Sequence, residues 1–456
     1  MAVRPAAVAA SPSPGPATAA RARRRAWLAG YIALVLLPLV AAWLTDPLPT
    51  PRAARADIGV AFGFLALALL LVQFAPVSRL RPVSRPFGTD VLMQWHRGMG
   101  LAALGFVALH ALLLPGVPWR AWILTVGSTG TRAGALAFWL AVAIVVTSVA
   151  RQALRLSYEA WQVIHLTSAC AITAAALWHV FAIGVYASAP VLGWLLVGYA
   201  GLFAVLLVRY RVHRPIGLAR RPWRVVANED VGGSVRRLCV RPDGHDGVRF
   251  EPGQFAWLLT GRSPFVSAQH PLSIASSAEP QQGGEVEFAV KALGDWSAMT
   301  VPALEPGRRV WVDGPYGGFT PSLTWHQPLV LIAGGIGIAP MRSILQTMRD
   351  RGAARQVCLF YAAANMTRVV FADELDALSR QIPLRVTYVF ENPELSWRGE
   401  RGFITVETLE RGLPAGLSEF DYFVCGPLPM IDAMERVLTR LRVPPDRIHT
   451  ERFQMV

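Results

Sequence analysis

Four histidines lie inside long apolar stretches of the sequence, where an ionisable side chain is costly and usually functional. They form two pairs with one spacing, because His96 and His110 are 14 residues apart and so are His165 and His179. In an α-helix, 14 residues rise about 21 Å and return to within about 40° of the same face. Each helix is therefore expected to present two imidazoles on one stripe, near opposite sides of a membrane.

An imidazole on each side of a porphyrin iron is a common way to hold haem. One further apolar stretch separates the two histidine-bearing helices, so they run parallel, and His96 is expected to face His165 while His110 faces His179. The pattern predicts two haems with these four histidines as metal ligands. A lone membrane histidine would more simply be a packed or hydrogen-bonding residue. A proton relay is disfavoured because these two stretches contain no intramembrane Asp or Glu.

The composition requires a membrane to surround these histidines. The chain has 456 residues, 53% apolar and 16% charged, with a mean hydropathy of +0.38. That is too apolar for a purely soluble protein, and it excludes disorder of the whole chain. Six stretches are apolar enough to span a bilayer, at about 26–44, 57–75, 93–115, 133–150, 160–186 and 190–209. The first could also be a cleaved signal peptide, although its length favours a retained helix.

The positive charge follows the membrane topology. The net charge of +14 arises from 44 basic and 30 acidic residues, and every basic residue except Lys291 is an arginine. Up to residue 224, sixteen arginines fall in segments on one predicted side of the membrane and four in the loops of the other. This bias predicts an integral plasma-membrane protein whose N-terminus and whole region after residue 210 are cytoplasmic. No nucleic-acid partner is expected. No zinc or iron–sulfur spacing is present at the four cysteines, and no CxxCH for covalent haem attachment.

The pattern of predicted secondary structure changes twice along the region that is expected to be cytoplasmic. After Pro222, strands with Gly and Pro turns predict a small antiparallel β-barrel, with strands at Val235–Val240, Phe255–Leu259, Val286–Val290 and Arg309–Val312. From Pro328, alternating strands and helices predict a doubly wound α/β domain, with elements at Leu329–Ala333, Met341–Arg351, Val357–Tyr361 and Tyr422–Cys425. The predicted domains are a disordered basic tail, a six-helix transmembrane haem bundle, a barrel and a nucleotide-binding domain, at 1–26, 27–212, 220–322 and 323–456.

The residues around the histidines resemble a known family. His96-Arg97-x-x-Gly100 and Tyr158-Glu159-x-Trp161-x-x-x-His165 are similar to the ferric reductase and NADPH oxidase superfamily, and the resemblance covers about residues 27–456. It implies a flavocytochrome b that carries electrons from cytosolic NAD(P)H through FAD and two b haems to a ferric chelate or dioxygen on the far side. Eukaryotic NADPH oxidases have a further histidine one turn beyond the outer ligand. This chain has Leu114 there, which counts against dedicated superoxide production.

The barrel contains segments that resemble the FAD motif of ferredoxin–NADP reductase-type flavoproteins. Glu251-Pro252-Gly253-Gln254-Phe255 precedes His270-Pro271-Leu272-Ser273 at the family's spacing. The resemblance implies that Ser273 contacts the flavin near N5 and that His270, Pro271 and Leu272 line its site. Glycines that admit a pyrophosphate and one cation follow, as Lys291, Gly294-Asp295-Trp296-Ser297 and Gly314-Pro315-Tyr316-Gly317. Taken singly, each of these glycine segments would be a plain turn.

The last domain contains a matching nucleotide motif. The segment Ala333-Gly334-Gly335-Ile336-Gly337-Ile338-Ala339-Pro340 follows a strand and opens a helix, so it can place dinucleotide phosphates at a helix N-terminus. The resemblance adds Cys425-Gly426-Pro427, whose cysteine would border the nicotinamide, although a small buried thiol is the simpler interpretation. It also adds Glu451-Arg452-Phe453, whose Phe453 would cover the flavin face. Ser273, Cys425, Glu451 and Phe453 would then surround the hydride-transfer site.

Several alternatives stay open at this point. Arg368 and Arg398 offer no clear match to a 2′-phosphate site, so the choice between NADH and NADPH is undecided. The acceptor could instead be a quinone or an extracytoplasmic redox protein. A different class of function is a haem-binding or haem-transport module without catalysis, against which the flavin and nicotinamide halves on the same chain argue. The oligomeric state is not indicated by the sequence.

Overall fold

A computed structural model of the chain describes residues 16–45, 53–80, 83, 87, 89–114, 127–265, 268–280, 282–321, 328–414, 416 and 419–452. These residues form two compact units. One contains residues up to 73 together with 98–201, and the other contains 74–97 together with 202–456. The elements of each unit are described in turn.

Six of the described helices are long and apolar enough to cross a membrane. These spans, numbered in chain order, are Pro16–Leu44, Ala54–Val72, Thr89–Leu113, Thr129–Val149, Tyr158–Ile183 and Pro190–Val208. The predicted number of spans is confirmed. The first helix begins inside the predicted disordered tail, so that prediction is wrong for residues 16–26. Alanine and arginine, which dominate this segment, are strong helix formers; residues 1–15 lie outside the described part of the chain.

Serine caps define where the fourth and fifth spans begin. The Ser128 hydroxyl accepts a hydrogen bond from the Thr131 N–H, and the Ser157 hydroxyl accepts one from the Ala160 N–H, both at 3.2 Å. Each cap satisfies one of the backbone donors that the first helical turn leaves unpaired. The two spans then pack along each other. This packing sets the depth at which the histidines of the fifth span lie beside the fourth.

The first sheet after the spans is antiparallel and closes into a barrel. Its strands are β1 Trp223–Asp230, β2 Val235–Pro242, β3 Phe255–Leu259, β4 Gln269–Ser273, β5 Val286–Lys291 and β6 Arg309–Tyr316. They pair in the order β4-β3-β6-β1-β2-β5, and a bridge between Ile274 and Phe288 joins the two ends. The predicted barrel is confirmed, with β1 and β4 as additional strands. Trp223, Leu238 and Phe288 are buried in its core.

The second sheet after the spans is parallel throughout. Its strands are β7 Leu329–Gly334, β8 Val357–Ala363, β9 Leu384–Phe390, β10 Glu400–Arg401, β11 Asp421–Cys425 and β12 Ile448–Glu451. The order β10-β9-β8-β7-β11-β12 places β7 between β8 and β11. Separate apolar clusters on the two faces pack under helices Ile338–Asp350, Ala372–Ser379, Val406–Gly412 and Leu428–Arg440. The doubly wound prediction is confirmed, and the strand order reverses beside β7.

Candidate functional site

The histidines nearest the ends of the third and fifth spans lie against each other. The ring centroids of His110 and His179 are 6.2 Å apart, and their planes are inclined by 80°. Two imidazoles that each bind one shared metal ion through a nitrogen at about 2 Å have ring centres roughly 6 Å apart. The pair therefore has the separation of two axial ligands of one ion.

A backbone carbonyl faces the Nδ1 atom of each of these two rings. The His110 Nδ1 lies 2.9 Å from the Gly59 carbonyl oxygen, and the His179 Nδ1 lies 2.8 Å from the Gly130 carbonyl oxygen. Because a carbonyl can only accept, Nδ1 is the donor in both contacts, so the neutral form of each ring has its lone pair on Nε2. Metal-bound histidines usually have this arrangement, in which a backbone acceptor holds the other ring nitrogen.

The other histidine of the fifth span is held by a side chain instead. The His165 Nδ1 is 3.2 Å from the Ser148 Oγ, and the Trp161 indole N–H donates to the same oxygen at 3.2 Å. Ser148 donates its own proton to the Ile144 carbonyl at 2.6 Å, so its oxygen accepts from both rings. Nδ1 of His165 is then the donor in this contact. His96 lies on the third span, 14 residues before His110.

In the barrel, the segment expected to line a flavin forms strand β4. Ser273 is buried and pairs with Phe255 on β3. The His270 ring stacks on Trp296, with centroids 3.6 Å apart and planes inclined by 10°. The Trp296 indole donates to the Thr260 hydroxyl at 3.0 Å. Two segments predicted from separate motifs therefore meet. The sequence analysis did not predict a role for Trp296. Its position within the Gly294–Ser297 segment was the feature that could have indicated one.

Lys291 ends strand β5 beside the glycine turn of the parallel sheet. Its Nζ lies 3.6 Å from the position that a Cβ on Gly335 would occupy, and Gly335 has a φ of +54°. Gly294 and Ser297 form their own tight turn, in which the Ser297 hydroxyl accepts from the Gly294 N–H at 3.1 Å. The single lysine of the chain thus lies next to the turn that the sequence assigns to dinucleotide phosphates.

The glycine turn connects β7 to helix Ile338–Asp350, whose first turn contains Pro340. A Cβ on Gly337 would lie 2.0 Å from the Cys425 carbonyl oxygen, so no side chain fits there. The carboxyl ends of β7 and β11 consequently meet, and Gly334 packs against Pro427 beside Gly426. Ligands of doubly wound sheets bind at this edge.

Cys425 and Glu451 end adjacent strands at the same edge. Burial, with a smaller effect from Glu451, raises the pKa of the Cys425 thiol well above its ordinary value. The thiol is therefore neutral at pH 7 and suited to packing rather than to nucleophilic attack. A Glu451 carboxylate oxygen lies 3.1 Å from the position of a Cβ on Gly317, so this edge reaches the end of barrel strand β6. Phe453 lies outside the described residues.

A buried polar cluster that the sequence did not predict surrounds Asp313. Its carboxylate pairs with the guanidinium of Arg214 and, at 3.3 Å, with that of Arg79, and it accepts from the Tyr316 hydroxyl at 3.0 Å. The Arg79 guanidinium also lies 3.6 Å from the centroid of the Trp257 ring. Burial and then the charge of Asp313 raise the pKa of Tyr316 to about 12. The cluster could have been predicted from one feature of the sequence, an acidic residue in an apolar strand directly before the Gly314 motif.

Two protein families match separate parts of the chain. Residues 62–176 match the ferric reductase like transmembrane component, a match that begins within the second span and ends within the fifth. Residues 331–436 match the oxidoreductase NAD-binding domain, which includes most of the parallel sheet and the glycine turn.

Similar proteins match about half of the chain or less. The xylene/toluene monooxygenase electron transfer component XylA of Pseudomonas putida is 30% identical over 227 residues, which are 48% of this chain and 61% of that protein. NADH-cytochrome b5 reductase 1 of Laccaria bicolor is 39% identical over 153 residues, 32% of this chain and 48% of that protein. The crystal structure of Amycolatopsis cytochrome P450 reductase GcoB is 26% identical, with a TM-score of 0.45, covering 51% of this chain and 69% of that one.

The chain spans less than two thirds of the length of these two curated relatives. Its six apolar helices include the residues that match the membrane family, and the antiparallel barrel and parallel sheet follow them. A ferric reductase like membrane component followed by an oxidoreductase NAD-binding domain gives this chain the architecture of a ferric reductase/NADPH oxidase-like flavocytochrome.

Proposed function

We propose that the protein is a transmembrane NAD(P)H oxidoreductase. It carries electrons from cytosolic NAD(P)H through FAD and two b-type haems to an acceptor on the opposite side of the membrane, a ferric chelate or dioxygen. The observation that carries this proposal is the pair formed by His110 and His179, two facing imidazoles whose Nδ1 atoms each lie against a backbone carbonyl, on helices that overlap the match to the ferric reductase like membrane component. The reductase half on the same chain supplies the electron entry.

The histidines fit haem better than a bare metal ion. Among the described residues, no group of three or more His, Cys, Asp or Glu side chains is placed to hold an ion. Haem iron needs only two axial ligands from the protein, and it supplies one-electron redox chemistry when bound. His110 and His179 would hold the outer iron, and the carbonyls of Gly59 and Gly130 keep both rings in the ligand tautomer. By the sequence pattern, His96 and His165 would hold the inner one.

The cytoplasmic residues fit a flavin and a nicotinamide cofactor. Gly294 and Gly335 have open space where a side chain would stand, apart from the Lys291 amine beside Gly335, so a pyrophosphate could approach the backbone there. A flavin accepts an electron pair as hydride and releases single electrons, which matches a nicotinamide donor to haem acceptors. Ser273 would contact the flavin, while Cys425 would border the nicotinamide as a neutral, close-packed thiol.

The names of two relatives support a reductase half that passes electrons to the haems in the spans. XylA is named as an electron transfer component, and the Laccaria protein is named as an NADH-cytochrome b5 reductase. The first name describes a component that transfers electrons, and the second describes a reductase of a cytochrome. In this chain we place the centres that receive the electrons in the six spans, and the arginine bias of the loops supports a cytoplasmic reductase half.

Replacing one outer ligand tests the route. In His110→Ala we expect haem to fall from two per chain to one and external acceptor reduction to fall to background, because the outer iron loses an axial ligand. Flavin reduction by NAD(P)H should stay unchanged, since it occurs before the haems. Reduced-minus-oxidised spectra, haem extraction and stopped-flow flavin absorbance measure the three quantities.

The matched control is His213→Ala, which removes an exposed histidine on the segment Arg209–His213, directly after the α-helix Pro190–Val208, and should keep both haems. Undiminished acceptor reduction in His110→Ala would contradict the proposed route. A wild-type protein without b-type absorbance would contradict the whole proposal.

A further inference from the structure

The same local construction surrounds both outer histidines. Gly59-x-x-x-Gly63 on the second span faces His110, and Gly130-x-x-x-Gly134 on the fourth span faces His179. In each motif the first glycine accepts the Nδ1–H bond through its carbonyl. The second glycine, one turn later on the same helix face, lies directly against the ring.

The contact at the second glycine leaves no room for a side chain. A Cβ on Gly63 would lie 2.6 Å from the His110 Nδ1, and a Cβ on Gly134 would lie 2.8 Å from the His179 Nδ1. Real Cβ atoms essentially never approach a heavy atom within 3.0 Å. Either substitution must therefore move the ring or the helix that carries it.

Other glycines of the spans do not have this contact. Gly105 on the third span and Gly198 and Gly201 on the sixth have nothing within 4 Å of a built Cβ. In membrane helices such Gly-x-x-x-Gly motifs usually bring two backbones together. The first glycine of each motif makes such a contact, because a Cβ on Gly59 would lie 3.5 Å from the His110 carbonyl oxygen and one on Gly130 would lie 3.1 Å from the Ile183 backbone N. The second glycine of each motif lies against an imidazole instead, at nearly equal distances in the two motifs.

We propose that Gly63 and Gly134 are positioning residues for the outer haem ligands, a role that rests on the proposed haem ligation. Each glycine provides a flat backbone surface for one imidazole, while the carbonyl four residues earlier holds its Nδ1 proton. The two contacts together restrict rotation of the ring and keep Nε2 available to iron. His165 is held by Ser148 instead, so the two haem sites are built differently.

The experiment uses the full chain purified in detergent with its haems. In Gly63→Ala and in Gly134→Ala, we expect one haem to be lost or to change, and the other to keep its properties. The readouts are haem per chain, the low-temperature EPR signals of the two ferric haems, which respond to the relative orientation of the axial rings, and their midpoint potentials. The control is Gly105→Ala, on the same span as His110 but with open space, which should keep both haems unchanged.

A double-mutant cycle separates the ring contact from general helix packing. Where the imidazole is already removed, in His110→Ala, adding Gly63→Ala should cause no further loss of thermal stability. This holds even if Gly63→Ala alone folds poorly, because the second change then restores folding. Additive losses, or wild-type spectra and potentials in both glycine variants of a two-haem protein, would overturn this role alone. A wild-type protein without haem would overturn the proposed function and this role with it.

Discussion

Asp313 shows how one residue can determine the local structure of a buried region. Its carboxylate is 8% exposed and serves two guanidiniums, of which that of Arg79 is 6% exposed and that of Arg214 18%. Charges taken this far from water are tolerated only while every partner is present. Asp313 also lies directly before Gly314 on strand β6, so the cluster holds the strand that leads into the proposed flavin site.

Replacing this carboxylate should strongly reduce the stability of the protein. Asp313→Asn leaves two buried guanidiniums without an anion, and we expect a loss of about 3–5 kcal/mol in the free energy of unfolding, together with reduced FAD content. Thermal melting and flavin absorbance per chain measure both effects. Asp243→Asn is the control, because its pair with Arg224 is largely exposed and should contribute less than about 1 kcal/mol. Equal melting temperatures for the two variants would refute the role of the cluster.

Elements were predictable where the pattern lies within one segment. Apolar length alone predicts the six spans, and alternation predicts four barrel strands within a few residues of their ends. Strand β4 was missed because His270-Pro271 looks like a loop motif. The structure places β4 at an end of the sheet order, where a proline without an N–H is tolerated.

Contacts between distant segments could not be predicted from such patterns. Gly59 lies 51 residues before His110, and Arg79 lies 234 residues before Asp313. A local pattern determines which face of an element is apolar, but not which backbone carbonyl meets a given ring. The roles of Ser273 and Cys425 came from family resemblance and stay predictions. Lys291 was expected in the flavin half, and the structure also brings it beside Gly335.

Helix Ile338–Asp350 depends on one arginine for its place against the barrel. The Arg342 guanidinium is 4% exposed and binds three partners. It contacts the Ala275 carbonyl at 3.0 Å, Glu287 at 2.6 Å and Glu374 at 2.9 Å. Ala275 and Glu287 belong to the barrel region, whereas the helix continues from the glycine turn. Arg342 therefore determines how the glycine turn before this helix is positioned against strand β5.

Loosening this contact should impair the use of the nucleotide more than flavin binding. In Arg342→Gln we expect the rate of flavin reduction at a fixed NAD(P)H concentration to fall by roughly 10–100-fold, because small misplacements of reacting groups have effects of this size. FAD content should stay near that of the wild type. Stopped-flow reduction of the flavin measures the rate. Arg349→Gln, on the same helix but paired only with its neighbour Asp350, should change it little, and an equal change in both variants would refute the argument.

At the scale of the whole molecule, the proposed route moves charge across a membrane. The proposed topology has the nucleotide-binding half in the cytoplasm, because up to residue 224 the segments on that side hold 16 arginines and the opposite loops hold four. Each electron that leaves on the far side carries a negative charge through the bilayer. Unless a proton follows, turnover builds a potential that opposes further transfer by about 2.3 kcal/mol per 100 mV.

Sealed vesicles should reveal this opposing potential. With the protein reconstituted, NAD(P)H added outside and a ferric chelate trapped inside, we expect reduction to begin and then slow as the potential grows. A potassium ionophore should restore the rate, because potassium movement dissipates the potential. His110→Ala vesicles are the control and should reduce no trapped chelate. Reduction restricted to chelate on the nucleotide side would contradict transfer across the membrane, whereas a rate insensitive to the ionophore would require a compensating proton to move with each electron.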